Sequence, residues 1–239
     1  MLVLFDVDAT LITTARAGIY AMGHAGRERF GEDFDEHAVE YSGRLDPLII
    51  HDLLTAHDID PTPAAMDDFH AGYKRHLSTL LSPTDGSPSP AQPCPGIPQL
   101  LDALDNTPGL TLGLLTGNFE DTGTIKLNAA GIDLDRFDIR VWGDHSPHNP
   151  PARDHLPPIA LARFHERTGE PIDPAHVTVI GDTPHDISCA LANNCRALAV
   201  ATGIYDLDQL NHAHRAVGDL ADTSDILDWI TAPRRKAQA

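Results

Sequence analysis

Two carboxylates, Asp6 and Asp8, stand at the end of the first apolar run of the chain, "LVLFDVDATLI". A second apolar run ends in "LLTGN" (114–118), and a third leads into "VIGDTPHD", which contains Asp182 and Asp186. Carboxylates gathered at one place repel one another unless a cation neutralises them. Oxygen ligands alone suit Mg²⁺ better than zinc. The residue types therefore predict a magnesium site built from carboxylates.

The elements that must position these residues are short apolar runs separated by helix-like stretches. Continuous apolar runs of this length are typical of strands buried on both faces, as in a parallel sheet. Alternation of strand and helix predicts an α/β fold, a doubly wound (Rossmann-like) and mostly parallel sheet. In such sheets ligands bind beyond the carboxyl ends of the strands. The runs span residues 2–5, 110–115, 139–143, 177–182 and 197–203.

The segment after the first strand has a different pattern. It contains three helical patterns and no strand, and it returns through a stretch with six prolines and two glycines, residues 82–98. Such a stretch cannot form a regular helix or a central strand. We therefore expect a catalytic core made of residues 1–13 and 92–239, and an all-helical cap, with its proline-rich return linker, over residues 14–91.

Charge and composition exclude several classes of partner. The 35 acidic residues against 17 basic ones give a formal charge of −18, which disfavours binding to nucleic acid or to anionic membranes. The three cysteines lack CxxC spacing, so neither a disulfide framework nor a zinc site is expected. No long apolar run or signal-peptide pattern occurs, which predicts a cytoplasmic protein. The oligomeric state is left open between a monomer and a homodimer.

The three polar motifs resemble those of one known family. "DVDAT", "LLTGN" and "VIGDTPHDI", in this order, are similar to the motifs of the haloacid dehalogenase (HAD) superfamily, in its phosphoglycolate-phosphatase-like branch with a helical cap. "YSGRLDP" (41–47) resembles a cap loop of that branch. The resemblance implies a Mg²⁺-dependent phosphatase that hydrolyses a small phosphorylated metabolite through an aspartyl-phosphate. A sugar-phosphate mutase and a catalytically silent binding module are the alternatives.

The resemblance also assigns roles to the carboxylates. Asp6 would be the nucleophile, and Asp8 would act as general acid to the leaving oxygen and general base to water. Mg²⁺ would be bound by Asp6, by Asp8 through its backbone carbonyl, and by Asp182. Asp186 would complete this metal set through water or by orienting the other ligands.

The phosphate group has its own expected ligands. The hydroxyl of Thr116 and the backbone N–H groups of Gly117 and Asn118 would hold the phosphate oxygens. Thr10 would support this site by bracing the first loop.

Three positions depart from the family pattern or leave a choice open. We expect Arg153 to supply the cation that balances nucleophile and phosphate, with Lys126 as a rival more suited to the surface. Arg44 would contact the substrate, or alternatively form an ion pair with Asp46. Ala9 replaces the usual glycine, so either its φ is negative or the loop tolerates strain of roughly 1 kcal/mol.

Overall fold

The structure, a computed structural model, describes residues 1–83 and 89–232. The strands are β1 (Leu2–Phe5), β2 (Ile12–Thr13), β3 (Gln92–Pro93), β4 (Thr111–Leu115), β5 (Ile139–Val141), β6 (Val177–Gly181), β7 (Arg196–Val200) and β8 (Arg215–Val217). At the centre of the fold a parallel sheet has the strand order β5-β4-β1-β6-β7-β8, and a separate antiparallel pair joins β2 to β3.

Both faces of the sheet are covered by helices, which explains why its inner strands β4, β1, β6 and β7 are almost entirely buried. Along β1, Val3 and Phe5 belong to one apolar cluster and Leu2 and Leu4 to another, because successive side chains point to opposite faces. The helices are α1 (Ala17–Phe30), α2 (Asp46–Ala56), α3 (Pro63–Leu81), α4 (Ile97–Asp105), α5 (Glu120–Ala129), α6 (Leu156–Thr168), α7 (Pro184–Ala192) and α8 (Thr223–Thr231).

The first three helices form an insertion between β2 and β3. Helix α1 packs against α3, α2 also contacts α3, and α3 reaches α5 of the sheet layer. The insertion has an apolar core of its own, in which Phe69, Tyr73 and Leu77 of α3 are fully buried. We call residues 17–81 the helical insertion.

The predicted fold class is confirmed by this architecture. Each of the five apolar runs contains a strand of the parallel sheet. The sequence patterns did not predict β8, the β2-β3 pair or α8. The strand β8 has three half-buried residues and the paired strands have two each, which is too short for a periodic pattern to emerge.

The β2-β3 pair is where the chain leaves the sheet layer and returns to it. Thr13 pairs with Gln92, so the two connections run side by side. The domain boundaries near these residues stay a prediction, and residues 84–88 of the proline-rich return and the tail from 233 lie outside the described residues. None of the helices described is long and apolar enough to cross a membrane.

Candidate active site

Three strand ends converge at the carboxyl edge of the sheet because β1 lies between β4 and β6. Phe5 stands opposite Leu114 and Ile180, and the Asp6 backbone N–H donates to the carbonyl of Ile180 at 2.9 Å. The loops after these three strands therefore emerge side by side. They bring the first motif, "TGN" and "GDTPHD" to one site, as expected from the topology.

Three carboxylates form a buried cluster at this edge. Oxygen atoms of Asp6, Asp182 and Asp186 all lie within 4.8 Å of one another. Burial, together with the negative charges of Asp186 and Asp6, raises the pKa of Asp182 far above its usual range. Burial also raises the pKa of Asp6, although Arg153 opposes the shift. Buried oxygen donors that cannot all ionise without a cation form a set that fits a divalent metal ion.

Asp186 has other partners besides this cluster. Its Oδ2 accepts from the backbone N–H of Thr183 at 3.0 Å and from the Thr183 hydroxyl at 2.7 Å, while its Oδ1 accepts from Arg153 at 2.5 Å. Asp186 thus caps the N-terminus of α7 and pairs with the guanidinium group of Arg153. These bonds fix the orientation of the Asp186 carboxylate, while a direct or water-mediated contact to metal stays a prediction.

Arg153 lies next to the predicted nucleophile. Its Nη2 is 3.0 Å from Oδ1 of Asp6 and 2.5 Å from Oδ1 of Asp186, and its Nη1 donates to the carbonyl of Gly43 in the helical insertion at 3.1 Å. The side chain is buried, and its Nε atom has no hydrogen-bond partner among the described residues. A buried donor of this kind is available to an anion bound beside Asp6.

The expected surface position of Lys126 is wrong. The side chain is buried, and its Nζ donates to Oδ2 of Asp8 at 2.7 Å and to Oδ1 of Asn118 at 2.6 Å. Burial alone would lower the pKa of Lys126, but the negative charge of Asp8 and other neighbours raises it above its ordinary value. The ammonium group is therefore a permanent charge within the site.

The surface was expected because a lysine is rarely buried unless it is paired. In the structure Lys126 lies on the buried face of α5, together with Thr122 four residues earlier. Lys126 follows Asn118 by eight residues, which is about two helical turns, and this spacing was the signal in the sequence that could have located the lysine.

Asp8 is two residues from Asp6 but has a different environment. Its side chain is 43% exposed, and it accepts from Lys126 and, at 2.9 Å, from Nδ2 of Asn118. The same Nδ2 also donates to Oγ1 of the fully buried Thr116 at 2.8 Å. Asn118 therefore connects the predicted acid–base group to the predicted phosphate ligands.

The first loop adopts the strained alternative at Ala9. Its φ is 55°, in the left-handed region that favours glycine. The backbone is held by a hydrogen bond from the Ala9 N–H to the Ile12 carbonyl at 2.7 Å, and the Ala9 carbonyl accepts from the hydroxyl of Thr202. Thr10 donates to Oδ1 of Asp182 at 3.4 Å, so it links the first loop to the acidic cluster.

In the helical insertion, the expected alternative of an Arg44–Asp46 ion pair is wrong. Arg44 instead contacts Oδ2 of Asp52 at 2.5 Å. Asp46 is buried and accepts from the backbone N–H of Phe119 at 3.3 Å and the hydroxyl of Thr122 at 3.4 Å. Burial raises the pKa of Asp46 to about 6. This contact joins α2 to the N-terminus of α5, where a carboxylate is favoured.

Gly117 allows the helical insertion to approach the sheet. Its carbonyl accepts from the Asp46 N–H at 2.7 Å, and a Cβ atom at this position would lie 2.1 Å from the Arg44 carbonyl oxygen. A side chain here would thus separate the two layers. The helical insertion and the loops that follow the strands together enclose a cavity of about 730 Å³, which is lined in part by Asp6 and Asp8.

Comparisons with known proteins agree with this geometry. The family model described as haloacid dehalogenase-like hydrolase matches residues 3–191. A phosphoglycolate phosphatase of Thiobacillus denitrificans is 27% identical over 84% of this chain and 83% of its own length.

Two solved structures share the fold. A hydrolase from Pseudomonas syringae superposes with a TM-score of 0.72 at 24% identity, covering 96% of this chain and 99% of that one. A β-phosphoglucomutase from Clostridium difficile also gives 0.72, at 17% identity and 96% of both chains. The chain belongs to the haloacid dehalogenase-like hydrolase family.

Proposed function

We propose that this hydrolase is a Mg²⁺-dependent phosphatase that hydrolyses a small-molecule phosphate monoester through an aspartyl-phosphate. The observation that carries the proposal is the separation of the two carboxylates of the first loop. Asp6 is buried among carboxylates and beside Arg153, whereas Asp8 is half-exposed and held by Lys126 and Asn118. One environment suits a nucleophile and the other suits a group that exchanges protons with solvent and substrate.

The reaction takes two steps. In the first, an oxygen of Asp6 attacks phosphorus and forms an acyl phosphate; the bond from phosphorus to the ester oxygen breaks, and Asp8 gives that oxygen its proton. In the second, water attacks phosphorus, its proton passes to Asp8, and the bond to Asp6 breaks to release inorganic phosphate. The proton that Asp8 gives up in the first step is returned to it in the second.

Asp6, Asp182 and Asp186 would hold Mg²⁺, together with the backbone carbonyl of Asp8. When bound, the ion would keep these carboxylates ionised and offset the charge of the phosphate. Support comes from the raised pKa of Asp182, because a buried carboxylate with like charges around it needs a cation to ionise. Exclusively oxygen donors suit a hard ion such as Mg²⁺ better than zinc.

The remaining predicted residues would bind the phosphate group. Thr116 keeps its hydroxyl proton available, since its Oγ1 accepts from Asn118. The backbone N–H groups of Gly117 and Asn118 would donate to the same anion, and Arg153 would offset charge between it and Asp6. Thr10 would hold the first loop close to Asp182 through its hydrogen bond to that carboxylate.

The setting of the enzyme is also a proposal. We assign the core to residues 1–13 and 92–239 and the cap to residues 14–91, with closure of the cap excluding water during the reaction. Relatives named phosphoglycolate phosphatase support a small phosphorylated metabolite as the substrate. We also propose that the enzyme is cytoplasmic and either a monomer or a homodimer.

A sugar-phosphate mutase of the same family is the second candidate. The observation favouring it is the cavity of about 730 Å³, which has room to retain a sugar phosphate beside a phosphorylated Asp6. A mutase would return the phosphoryl group to the retained sugar, whereas a phosphatase releases inorganic phosphate. A silent binding module is disfavoured, because both carboxylates are retained in a connected site.

The test is release of inorganic phosphate from an aryl phosphate and a panel of phosphorylated metabolites, with Mg²⁺ present. We expect release by the wild type and by Asp208→Asn, an exposed aspartate outside the site, and none by Asp6→Asn. Phosphate release that persists in Asp6→Asn would refute the proposed nucleophile. Isomerised sugar phosphate without net phosphate release would favour the mutase.

A further inference from the structure

The cavity over Asp6 and Asp8 is much larger than its phosphate end. It holds about 730 Å³, a volume in the range of roughly 300–1,000 Å³ that suits drug-sized ligands. A phosphate ester of a two-carbon acid would fill only a small part of it. The helical insertion lines it with apolar side chains, Ile19 and Met22 of α1, Ile49 of α2 and Val39 between them, alongside polar ones that include Glu40 and Arg44.

The cations that line this cavity differ in one respect. Of the four lysine and arginine side chains along it, three are already paired with carboxylates: Arg44 with Asp52, Lys126 with Asp8 and Arg153 with Asp6. The fourth, Arg16, is exposed and forms no ion pair or hydrogen bond through its side chain in the part of the chain that the structure describes.

The backbone presents Arg16 in an unusual way. Ala15 and Arg16 both have positive φ values, 49° and 65°, a conformation that side-chain-bearing residues rarely adopt twice in succession. Arg16 is also the N-cap of α1, whose first turn contains no acidic residue. Its positive charge and the positive end of a fourteen-residue helix thus meet at the same end of the cavity.

We propose that Arg16 determines substrate specificity by binding an anionic group of the substrate other than the phosphate that is transferred. The substrate class is then a phosphate monoester longer than a two-carbon acid. This inference rests on the proposed phosphatase function. Binding of a second anion by Arg16 follows from its unpaired charge, and a preference for length follows from the volume of the cavity.

Two series of substrates of increasing length test both the binding of a second anion and the preference for length. One series carries a phosphate ester at one end of an alkyl chain of two to about eight carbons and a carboxylate at the other; the second series replaces the carboxylate with a hydroxyl. The variant is Arg16→Met, which removes the charge at an exposed position. Arg29→Met is the matched control, because Arg29 also lies on α1 but does not line the cavity.

We expect the wild type to prefer acids over the matched alcohols in kcat/KM by at least about tenfold, with a maximum beyond the two-carbon acid. Arg16→Met should lose this preference while its rates on the alcohols stay unchanged, and Arg29→Met should retain it. An acid preference that survives in Arg16→Met, or one that is greatest at two carbons, would overturn the inference.

The two proposals fail in different ways. If alcohol esters are hydrolysed without any preference for acids, the assignment of Arg16 is overturned and the phosphatase stands. If neither series nor an aryl phosphate releases phosphate, the phosphatase function is overturned, and this inference with it.

Discussion

The two halves of the candidate site differ in how the charges of their carboxylates are balanced. On the Asp6 side, Asp6, Asp182 and Asp186 collect negative charge that Arg153 only partly offsets. On the Asp8 side, one half-exposed carboxylate is matched by the single charge of Lys126.

This difference teaches how a two-residue spacing can give two chemical roles. The Asp6 side needs a further cation to ionise, so a metal ion and a phosphate can bind there together. The Asp8 side is balanced without metal and has access to solvent, so its carboxyl group can give up and regain a proton. The predictions below separate the two sides.

The largest difference between the two sides should appear in the Asp8→Asn variant when the leaving group of the substrate is varied. We expect its kcat/KM for alkyl phosphates to fall by about 10²–10⁴, because an alkoxide needs a proton to leave. The fall for nitrophenyl phosphate should be far smaller, since a nitrophenolate leaves unprotonated. Steady-state rates on matched esters provide the measurement, and equal losses on both classes would contradict the assignment of Asp8.

The next effect comes from the two buried cations. We expect Arg153→Gln to lower kcat by about 10²–10³, since it removes charge beside the nucleophile and phosphate. Lys126→Gln should cost about tenfold, because it acts through the position of Asp8. Both variants are compared by kcat on an alkyl phosphate, with thermal unfolding to check that each is folded.

Double variants sharpen this result. In an Asp8→Asn background, Lys126→Gln should add little, whereas Arg153→Gln should keep its full effect. Additive losses for Lys126→Gln would mean that it acts independently of Asp8. The conservative Arg153→Lys should restore part of the rate, which a purely structural role for the planar group would not allow.

A smaller effect concerns stability in the absence of metal. Burial and like charges raise the pKa values of Asp6 and Asp182, so the folded protein binds more protons than the unfolded chain above the usual carboxyl range. The free energy of unfolding should then fall as the pH rises from about 5 to about 8. Chemical denaturation with EDTA across this window should show the decline.

Mg²⁺ and Asp182→Asn provide the controls for that experiment. Either should flatten the pH dependence, because the metal compensates the carboxylates and the amide cannot ionise. The same slope with and without Mg²⁺ would show that the Asp6 side does not bind the ion.

The smallest effect is expected at Ala9. Its φ of 55° already gives the loop the conformation that glycine would adopt, so Ala9→Gly should change kcat by less than about twofold. Relief of strain and gain of unfolded-state entropy oppose each other, leaving a change within about 1 kcal/mol in the free energy of unfolding. A much faster variant would instead indicate a phosphate loop tightened by alanine.

The Asp6 side was the more predictable from sequence. Its carboxylates follow continuous apolar runs, and the topology of a parallel sheet forces the ends of those strands together. The residues Asp6, Asp182 and Asp186 could therefore be grouped without any structure.

The Asp8 side was less predictable because it depends on helix phase and on packing of the helical insertion. The prediction placed Lys126 at the surface, whereas the packing of α5 buries it against Asp8 and Asn118. Asp46 and Asp52 lie about 1.7 turns apart on α2, and their spacing alone does not reveal which of them pairs with Arg44. Such contacts are set by how two layers pack, which short patterns do not encode.

The most direct test of the two-sided site is the phosphorylation state of Asp8→Asn mixed rapidly with nitrophenyl phosphate and Mg²⁺. The first step needs no proton donor with this ester, whereas hydrolysis of the intermediate needs the base. We expect a burst of nitrophenolate of about one equivalent per enzyme, followed by slow turnover, and a phosphoryl group found on Asp6 by peptide mass spectrometry. No burst, or a phosphoryl group on any other residue, would contradict the account.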